Sequence, residues 1–369
     1  MVCEEYFSTE EIVKKFNRKD CWNIYSNSDI FYICQKKAKG LLTFVDQFFG
    51  DSYGIQLFFT KEGFNYVHDI FTIEQDSALT LFDCDSICLI VVNKNDLKEE
   101  EKKFLLKNKI KIKNKYNILF YRFEPGYDFR LCNNKEIKIM YDYLEILSSL
   151  ISNEELDLLS AFSVNRVCLA FADKEKKEYS VSYVPLPYLE HNYKKNKVDI
   201  GFVEEFKNRS YINDECYIFA SYAPLIVNET KTRPMILYFY YPKSNRSYFK
   251  YLIGDLKDYN EKFFTSLYDS FNEVGIPEKI YFNNRKLYAY SFNTLKALKI
   301  ECEFLREERH VDQNMNDLLS NLYNEAPSEY VENEDVINLL MSSITKTLNE
   351  MYDINEENYD KPKNDEFIS

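Results

Sequence analysis

Asp83-Cys84-Asp85-Ser86-Ile87-Cys88 holds the most closely spaced pair of cysteines in the chain. Two thiols separated by three residues fall within the spacing of zinc sites, but a site of that kind needs a second pair or histidine partners. No second close pair exists, and His68, His191 and His310 are far apart in sequence. The segment therefore reads as a turn entering a buried strand, with Cys88 as a core residue. His68 falls on a predicted amphipathic helix, which suits a structural imidazole, whereas His191 and His310 stand in polar surroundings and read as exposed. A Cys–His nucleophilic pair needs only proximity in space, and no spacing here nominates one. Adjacent carboxylates such as Glu204-Glu205 carry no signal in a chain with 60 acidic residues. With eight glycines in 369 residues there is neither a P-loop nor a dinucleotide-binding glycine pattern. No cofactor and no metal are expected.

The elements that would position such groups are well supplied with core material. The hydrophobic fraction is 45%, and 31 Tyr and 29 Phe are present, each burying roughly 150–250 Å² when packed. The length exceeds the roughly 250–300 residues at which one core stops growing, so more than one folded unit is expected. No apolar run approaches the ~18 residues of a membrane span, and the amino terminus lacks the basic and apolar regions of a signal peptide. Nine scattered cysteines suit reduced thiols in a cytoplasmic setting. The net charge of −13 disfavours non-specific nucleic-acid binding, which needs a positive surface to displace counterions. The acidity is concentrated: residues 325–369 hold 12 Asp and Glu against three Lys. Basic patches stand at Lys107–Lys115 and Lys194–Lys197. The first reads as the lysine-rich end of a helix, offsetting its dipole; its alternative is contact with RNA, DNA or an acidic partner, the chain's own tail included.

Along the chain, Ser8-Thr9-Glu10-Glu11 fits a capping box opening a short helix. Strands are predicted at Ile30–Cys34, Leu41–Phe49 and Ile55–Thr60, then a helix over Glu62–Phe71, then strands at Ala78–Phe82 and Ile87–Val92. A helix capped by Asn95 or Asp96 runs to Lys107, and a strand over Tyr116–Phe123 ends at Pro125-Gly126. Helical spacing covers Asn134–Ile151, and a hairpin covers Arg166–Phe171 and Tyr179–Pro185. Residues 188–214 show no clear periodicity, and Cys216–Tyr222 reads as a further strand. From Met235 the order is hairpin (Met235–Tyr241, Ser247–Ile253), helix Asp258–Val274, strand Lys279–Phe282, helix Arg285–Leu298, strand Ile300–Phe304 and helix Val311–Tyr323. The fold class is α+β: a strand-rich domain over 1–229, a smaller β-hairpin-α-β-α-β-α domain over 230–324, and an acidic tail over 325–369. The tail contains an amphipathic helix, 335–352, with Ile337, Leu340, Met341, Ile344, Leu348 and Met351 in one narrow apolar stripe.

Two patterns carry a resemblance. Leu42-Thr43-Phe44 through Phe49-Gly50-Asp51-Ser52-Tyr53-Gly54-Ile55 is a strand, glycine, polar turn, glycine and strand in succession. Tyr121-Arg122-Phe123-Glu124-Pro125-Gly126-Tyr127 precedes an apolar, acid-rich helix. With the element order after Met235, they resemble an uncharacterised bacterial family of paired domains of unknown function, over roughly residues 30–323. The resemblance implies two domains and no activity. The second domain's order also resembles a degenerate ribonuclease H-like fold. Enzymes of that fold hold two divalent metals with carboxylates, have three strands before the first helix, and carry an Asp on the first. Here two strands are expected, Ile236–Tyr241 has no carboxylate, and the second ligand position falls near the neutral Asn283.

The sequence thus points to a cytoplasmic, non-enzymatic protein-interaction or regulatory module with a protein partner or self-association and no membrane contact. The tail stripe has two readings: it packs on the second domain and covers an apolar face, or it is the docking element for another protein or a second copy of the chain. The alternative is a metal-dependent hydrolase or nuclease whose carboxylates converge from distant segments.

Overall fold

The computed structural model describes residues 3–305, except 36–37, 46–51, 74–83, 154–155, 157, 159–165, 174–177, 190–192, 194, 224 and 228, together with residues 346–347. These fall into two compact units, which divide between His191 and Asn192.

In the first unit the elements are α1 (Glu4–Arg18), α2 (Cys21–Ile24), β1 (Ile30–Gln35), β2 (Ala38–Val45), β3 (Tyr53–Phe58), α3 (Lys61–Ile73), β4 (Ser86–Val92), α4 (Glu99–Lys107), β5 (Asn117–Phe123), β6 (Arg130–Leu131), α5 (Asn134–Asn153), β7 (Arg166–Asp173) and β8 (Glu178–Pro185). The strands form one sheet in the order β6-β5-β4-β3-β2-β1-β7-β8, antiparallel throughout except where β1 meets β7 in parallel. Every residue of β4 and β5 is buried, so these strands read as continuous apolar runs rather than alternating ones. Helices cover both faces. Tyr6 and Phe16 of α1 meet Phe120 and Phe44 edge-on, and the Tyr6 hydroxyl donates to the Ile118 carbonyl at 2.5 Å. Gly40 leaves room on that face for α5: a Cβ there would stand 2.7 Å from the Tyr143 ring. On the opposite face, Phe64 of α3 packs on Tyr32, and the Tyr121 hydroxyl donates to the buried Glu101 of α4.

The second unit contains α6 (Ile200–Phe206), β9 (Tyr211–Tyr222), β10 (Met235–Tyr241), β11 (Arg246–Leu252), α7 (Tyr259–Glu273), β12 (Ile276–Phe282), α8 (Arg285–Ala297) and β13 (Glu301–Phe304). Its sheet runs β11-β10-β9-β12-β13. The β9-β10-β11 meander is antiparallel, and the helical crossovers place β12 and β13 parallel to β9. Phe263 of α7 reaches Phe239 and Phe282, and Phe202 and Phe206 of α6 close over Phe271. Gly275 turns the chain from α7 into β12 at φ +128°, where a Cβ would meet Ile212 at 2.7 Å; only glycine accepts both demands.

The α+β class holds, with both sheets mixed. Several local expectations need correction. Helix α1 begins at Glu4, so Ser8 lies inside it rather than at its cap; Tyr6, Thr9, Val13 and Phe16 form one buried stripe that starts upstream of the capping-box pattern. Asn95 and Asp96 lie in a single 3-10 turn, Lys94–Asp96, and α4 starts at Glu99. There the Lys98 amide donates to Glu101 Oε2 at 2.7 Å, which is the reciprocal half of a capping box. The aperiodic stretch 188–214 holds α6 and the start of β9. Three strands rather than two therefore precede α7, and β9 pairs with both β10 and β12. That pairing places the unit division at 191/192, whereas the sequence expectation set it at 229/230. The strand expected at 78–82 and the helix expected at 311–323 lie outside the described residues.

The first strand of the second sheet does carry carboxylates. Asp214 is 2% exposed and accepts from the Lys243 amide (3.1 Å), the Ser244 amide (2.8 Å), the Ser244 hydroxyl (2.7 Å) and the Glu215 amide (2.8 Å). It ties β9 to the β10–β11 turn. Asp214→Ala removes the charged acceptor that these four donors share, and about 2–3 kcal/mol of second-unit stability is expected to go. The check is thermal unfolding by circular dichroism, with the fluorescence transition of Trp22, the only tryptophan and a first-unit residue, staying where it was.

Candidate functional site: an ion network around a buried arginine

The two sequence patterns singled out for chemistry and for resemblance meet at one place. Asp85 precedes β4, Arg122 is the penultimate residue of β5, Glu124 follows it, Arg130 opens β6, and Glu136 stands in the first turn of α5. Their position follows from local structure. The antiparallel β4–β5 register sets Ile87 opposite Arg122, so the turn before β4 lies beside the guanidinium. Asn133 caps α5 by accepting from the amides of Lys135 (2.9 Å) and Glu136 (3.2 Å), while Glu136 accepts from the Asn133 amide at 2.8 Å. This reciprocal cap holds the Glu136 carboxylate at the helix N-terminus, where the dipole favours it.

Arg122 is buried. Its Nη2 is paired with Asp85 Oδ1 and stands 3.8 Å from Glu124, and its Nε lies 3.7 Å from Glu136. Nη1 donates to the carbonyls of Ser86 (2.8 Å) and Phe123 (2.5 Å), and the guanidinium lies 5.3 Å from the Phe59 ring centroid, within cation–π range. Asp85 Oδ2 accepts from the Thr60 hydroxyl at 2.7 Å; its Oδ1 has no hydrogen-bond donor and is met only by the ion pair. Arg130 completes the group, donating through Nη1 to Glu136 (2.9 Å) and through Nη2 to Glu136 (2.7 Å) and Glu124 (3.0 Å). Burial alone would raise the Glu136 carboxyl; the hydrogen bonds from Arg130 and the Asn133 amide and the charges of both arginines outweigh it, and the net shift is downward.

Two guanidinium and three carboxylate groups leave this cluster with one net negative charge, each arginine being engaged by carboxylates. The arrangement clamps β4, β5, β6 and α5. It provides no positively charged group free to receive a substrate anion, and among the described residues no three His, Cys, Asp or Glu side chains are placed to share a metal ion. The neighbouring thiols are poor nucleophiles: burial pushes Cys88 and Cys132 well up, favouring the unreactive thiol. All nine cysteines are free, and seven are buried. His68 is partly buried with its ring 4.8 Å from that of Tyr188, in keeping with a structural imidazole; His191 and His310 lie outside the described residues. In the Lys107–Lys115 patch, Lys109 ends α4 in the left-handed region, and Lys113 pairs with Glu10 at 2.7 Å. Of 335–352 only Lys346 and Thr347 are described, both helical. The stripe of Ile337, Leu340, Met341, Ile344, Leu348 and Met351 lies outside the described residues. No described helix is long and apolar enough to cross a membrane.

Removing one partner from a buried ion pair costs more than removing both. Arg122→Met is expected to destabilise the first unit by about 3–5 kcal/mol, and Arg122→Met/Asp85→Leu to recover a substantial part of that loss, measured by urea unfolding at Trp22. Because the Glu136 pKa is lowered on folding, its stabilising contribution is present above the unfolded carboxyl range and is lost as pH falls through the folded pKa. The first-unit urea midpoint is expected to drop between about pH 5 and 3, and Glu136→Gln to make that drop shallower.

Residues 8–169 match the family model of a domain of unknown function, DUF7309, and residues 203–319 match that of another, DUF6930. No curated protein gives a significant match to the chain.

Proposed function

Starting from a chain in which these two domains of unknown function stand in tandem, we propose that it is a non-enzymatic protein-interaction or regulatory module. Its docking element is the stripe Ile337, Leu340, Met341, Ile344, Leu348 and Met351. The observation that carries this reading is the tail pattern: six apolar residues at helical spacing, set in a segment that is otherwise acidic. A stripe that narrow suits a helix laid in a groove, and its acidic flanks select a partner with a basic rim. The described units supply supporting context. The groups best suited to acid–base or metal chemistry are engaged structurally: Asp85, Glu124 and Glu136 by arginines, and Asp214 by the β10–β11 turn.

A second reading, a metal-dependent hydrolase of ribonuclease H-like ancestry, draws on one feature. Three strands precede the first crossover helix of the second unit, the number that arrangement has. It ranks lower because Asp214 on the first strand is saturated with donors, and Asn283, directly after β12, accepts from the Ala220 amide at 2.9 Å.

Leu340→Asp places a charge in the middle of the stripe. Self-association or partner capture is expected to weaken by about tenfold or more, an effect of about 1.4 kcal/mol, with the melting temperature unchanged. Sedimentation velocity and a thermal melt read the two quantities separately. A fall of many degrees in the melting temperature would mean that the stripe belongs to a core, and the docking assignment would be wrong.

A further inference from the structure

The Lys194–Lys197 patch has no part in the preceding account; its Lys195 stands against Phe292, a residue that lines a cavity. The space, of about 440 Å³, lies between α8 and β13 and is lined by Phe292, Lys296, Lys299 and Ile300, with Glu301 and the ion-paired Lys279 and Glu303 at its side. Two hydrogen bonds pin the patch to α8: Asn293 Nδ2 donates to the Asn196 carbonyl at 2.7 Å, and the Asp199 amide donates to the Thr294 hydroxyl at 2.9 Å. Lys195 Nζ is thereby held 3.6 Å from the Phe292 ring centroid, and Lys296 approaches the same ring at 5.9 Å. Lys299 occupies the left-handed position that ends α8, its amide donating to Lys296 and that of Ile300 to Leu295.

The dipole of α8 favours lysines at its carboxyl end. It does not account for Lys195, which comes from about a hundred residues earlier in the chain. Lys279 is neutralised by Glu303 at 2.8 Å, whereas Lys195, Lys296 and Lys299 have no ion-pair partner among the described residues. The cavity therefore combines an aromatic wall with two lining lysines, Lys296 and Lys299, that have no ion-pair partner among the described residues, a third lysine, Lys195, against the Phe292 ring, and one neighbouring carboxylate, Glu301. A ligand that fits this chemistry carries a ring or apolar side chain set among carboxylates.

The chain contains such a ligand. Residues 192–305 hold 17 Lys and Arg against 14 Asp and Glu, while residues 325–369 hold three against 12. Tyr330 follows Glu329 and precedes Glu332, and Tyr359 stands between Glu357 and Asp360. The 20 residues from Arg306 to Glu325 can span up to about 65–70 Å when extended, so reach sets no obstacle. We propose that the cavity between α8 and β13 is the docking site of this chain's own acidic segment, residues 325–369. An aromatic side chain of that segment enters beside Phe292, and its carboxylates meet Lys195, Lys296 and Lys299. Docking of this kind would keep the acidic flanks of the apolar stripe on the second unit and regulate its exposure, a role that holds whether or not the stripe captures a partner.

Hydrogen exchange on the full-length protein at low salt tests this. Lys296→Glu/Lys299→Glu is compared with the wild type and with Lys111→Glu/Lys115→Glu, which makes the same charge change in the other basic patch. Docking predicts protected amides within 325–369 in the wild type, and exchange there about tenfold faster in the first variant but not in the second. It also predicts a similar acceleration of the wild type in about 0.5 M NaCl and rates independent of protein concentration. Core amides of β9 and β12 report whether the variant is folded; if they lose protection, Lys296→Gln/Lys299→Gln removes the charge without reversing it. Equal tail exchange in all three proteins overturns the proposal, and so does tail protection that appears only as concentration rises, which would assign the contact to a second copy.

Discussion

A guanidinium enclosed within an apolar sheet persists only if its charge is answered where it lies, and Arg122 imposes that condition on the first unit. Asp85 meets it from the turn before β4, Glu124 from the end of β5, and Glu136 from the first turn of α5. The strand order at this edge of the sheet, the entry angle of α5 and the cap at Asn133 are thus coupled through one side chain. Arg130 extends the coupling to β6, the short edge strand. The second unit repeats the logic with the opposite sign: the buried Asp214 carboxylate is answered by backbone amides of the β10–β11 turn and by the Ser244 hydroxyl. Each unit therefore has a polar group inside that registers distant segments, and in each case its lone pairs or protons are taken up in holding the fold.

Elements with strong periodicity were legible in the sequence. Helix α5 and strand β10 are found where apolar spacing predicts them, because a single buried face or a nearly continuous buried run decides their conformation. Boundaries resting on polar residues were less legible. Ser8 and Thr9 look like a helix start, but the buried stripe of α1 extends back to Tyr6, and packing against Phe120 outweighs the local cap. Helix α6 was missed because two buried phenylalanines, Phe202 and Phe206, are too few to establish a period in a polar stretch. The first half of β9 was missed because its partner strands lie downstream, and its residue types, Tyr211-Ile212-Asn213-Asp214-Glu215, do not alternate apolar and polar although their burial does.

The polar networks were not legible as networks. Asp85 and Arg122 stand 37 residues apart, and Asp214 and Ser244 stand 30 apart; no local spacing links either pair. The fragment from Tyr121 to Tyr127 was informative as a turn signal, and its arginine acquires meaning only when the β4–β5 register is known. Asn283 was legible as a neutral residue at a position where a metal enzyme would need a carboxylate, and its side chain is bound to the Ala220 amide. The basic run at Lys194–Lys197 is legible only as a charge cluster, and the contact of Lys195 with Phe292 depends on a fold that brings together residues about a hundred positions apart. In functional terms four carboxylates (Asp29, Asp85, Glu101 and Asp214) and seven thiols of the described units are buried, the second unit has lysines at a cavity without an ion-pair partner among the described residues, and the strongest unbalanced charge in the chain lies in the tail. The proposed recognition through the tail draws on these features.

The most direct test of that account is affinity capture from native lysate, with quantitative mass spectrometry, using the full-length protein and a chain ending at Tyr323. The account predicts that a defined partner set, or a second copy of the chain, is retained by the full-length protein and lost from the shortened one while both units stay folded. Retention of the same set by both proteins would place recognition elsewhere and contradict the assignment of the tail as the docking element.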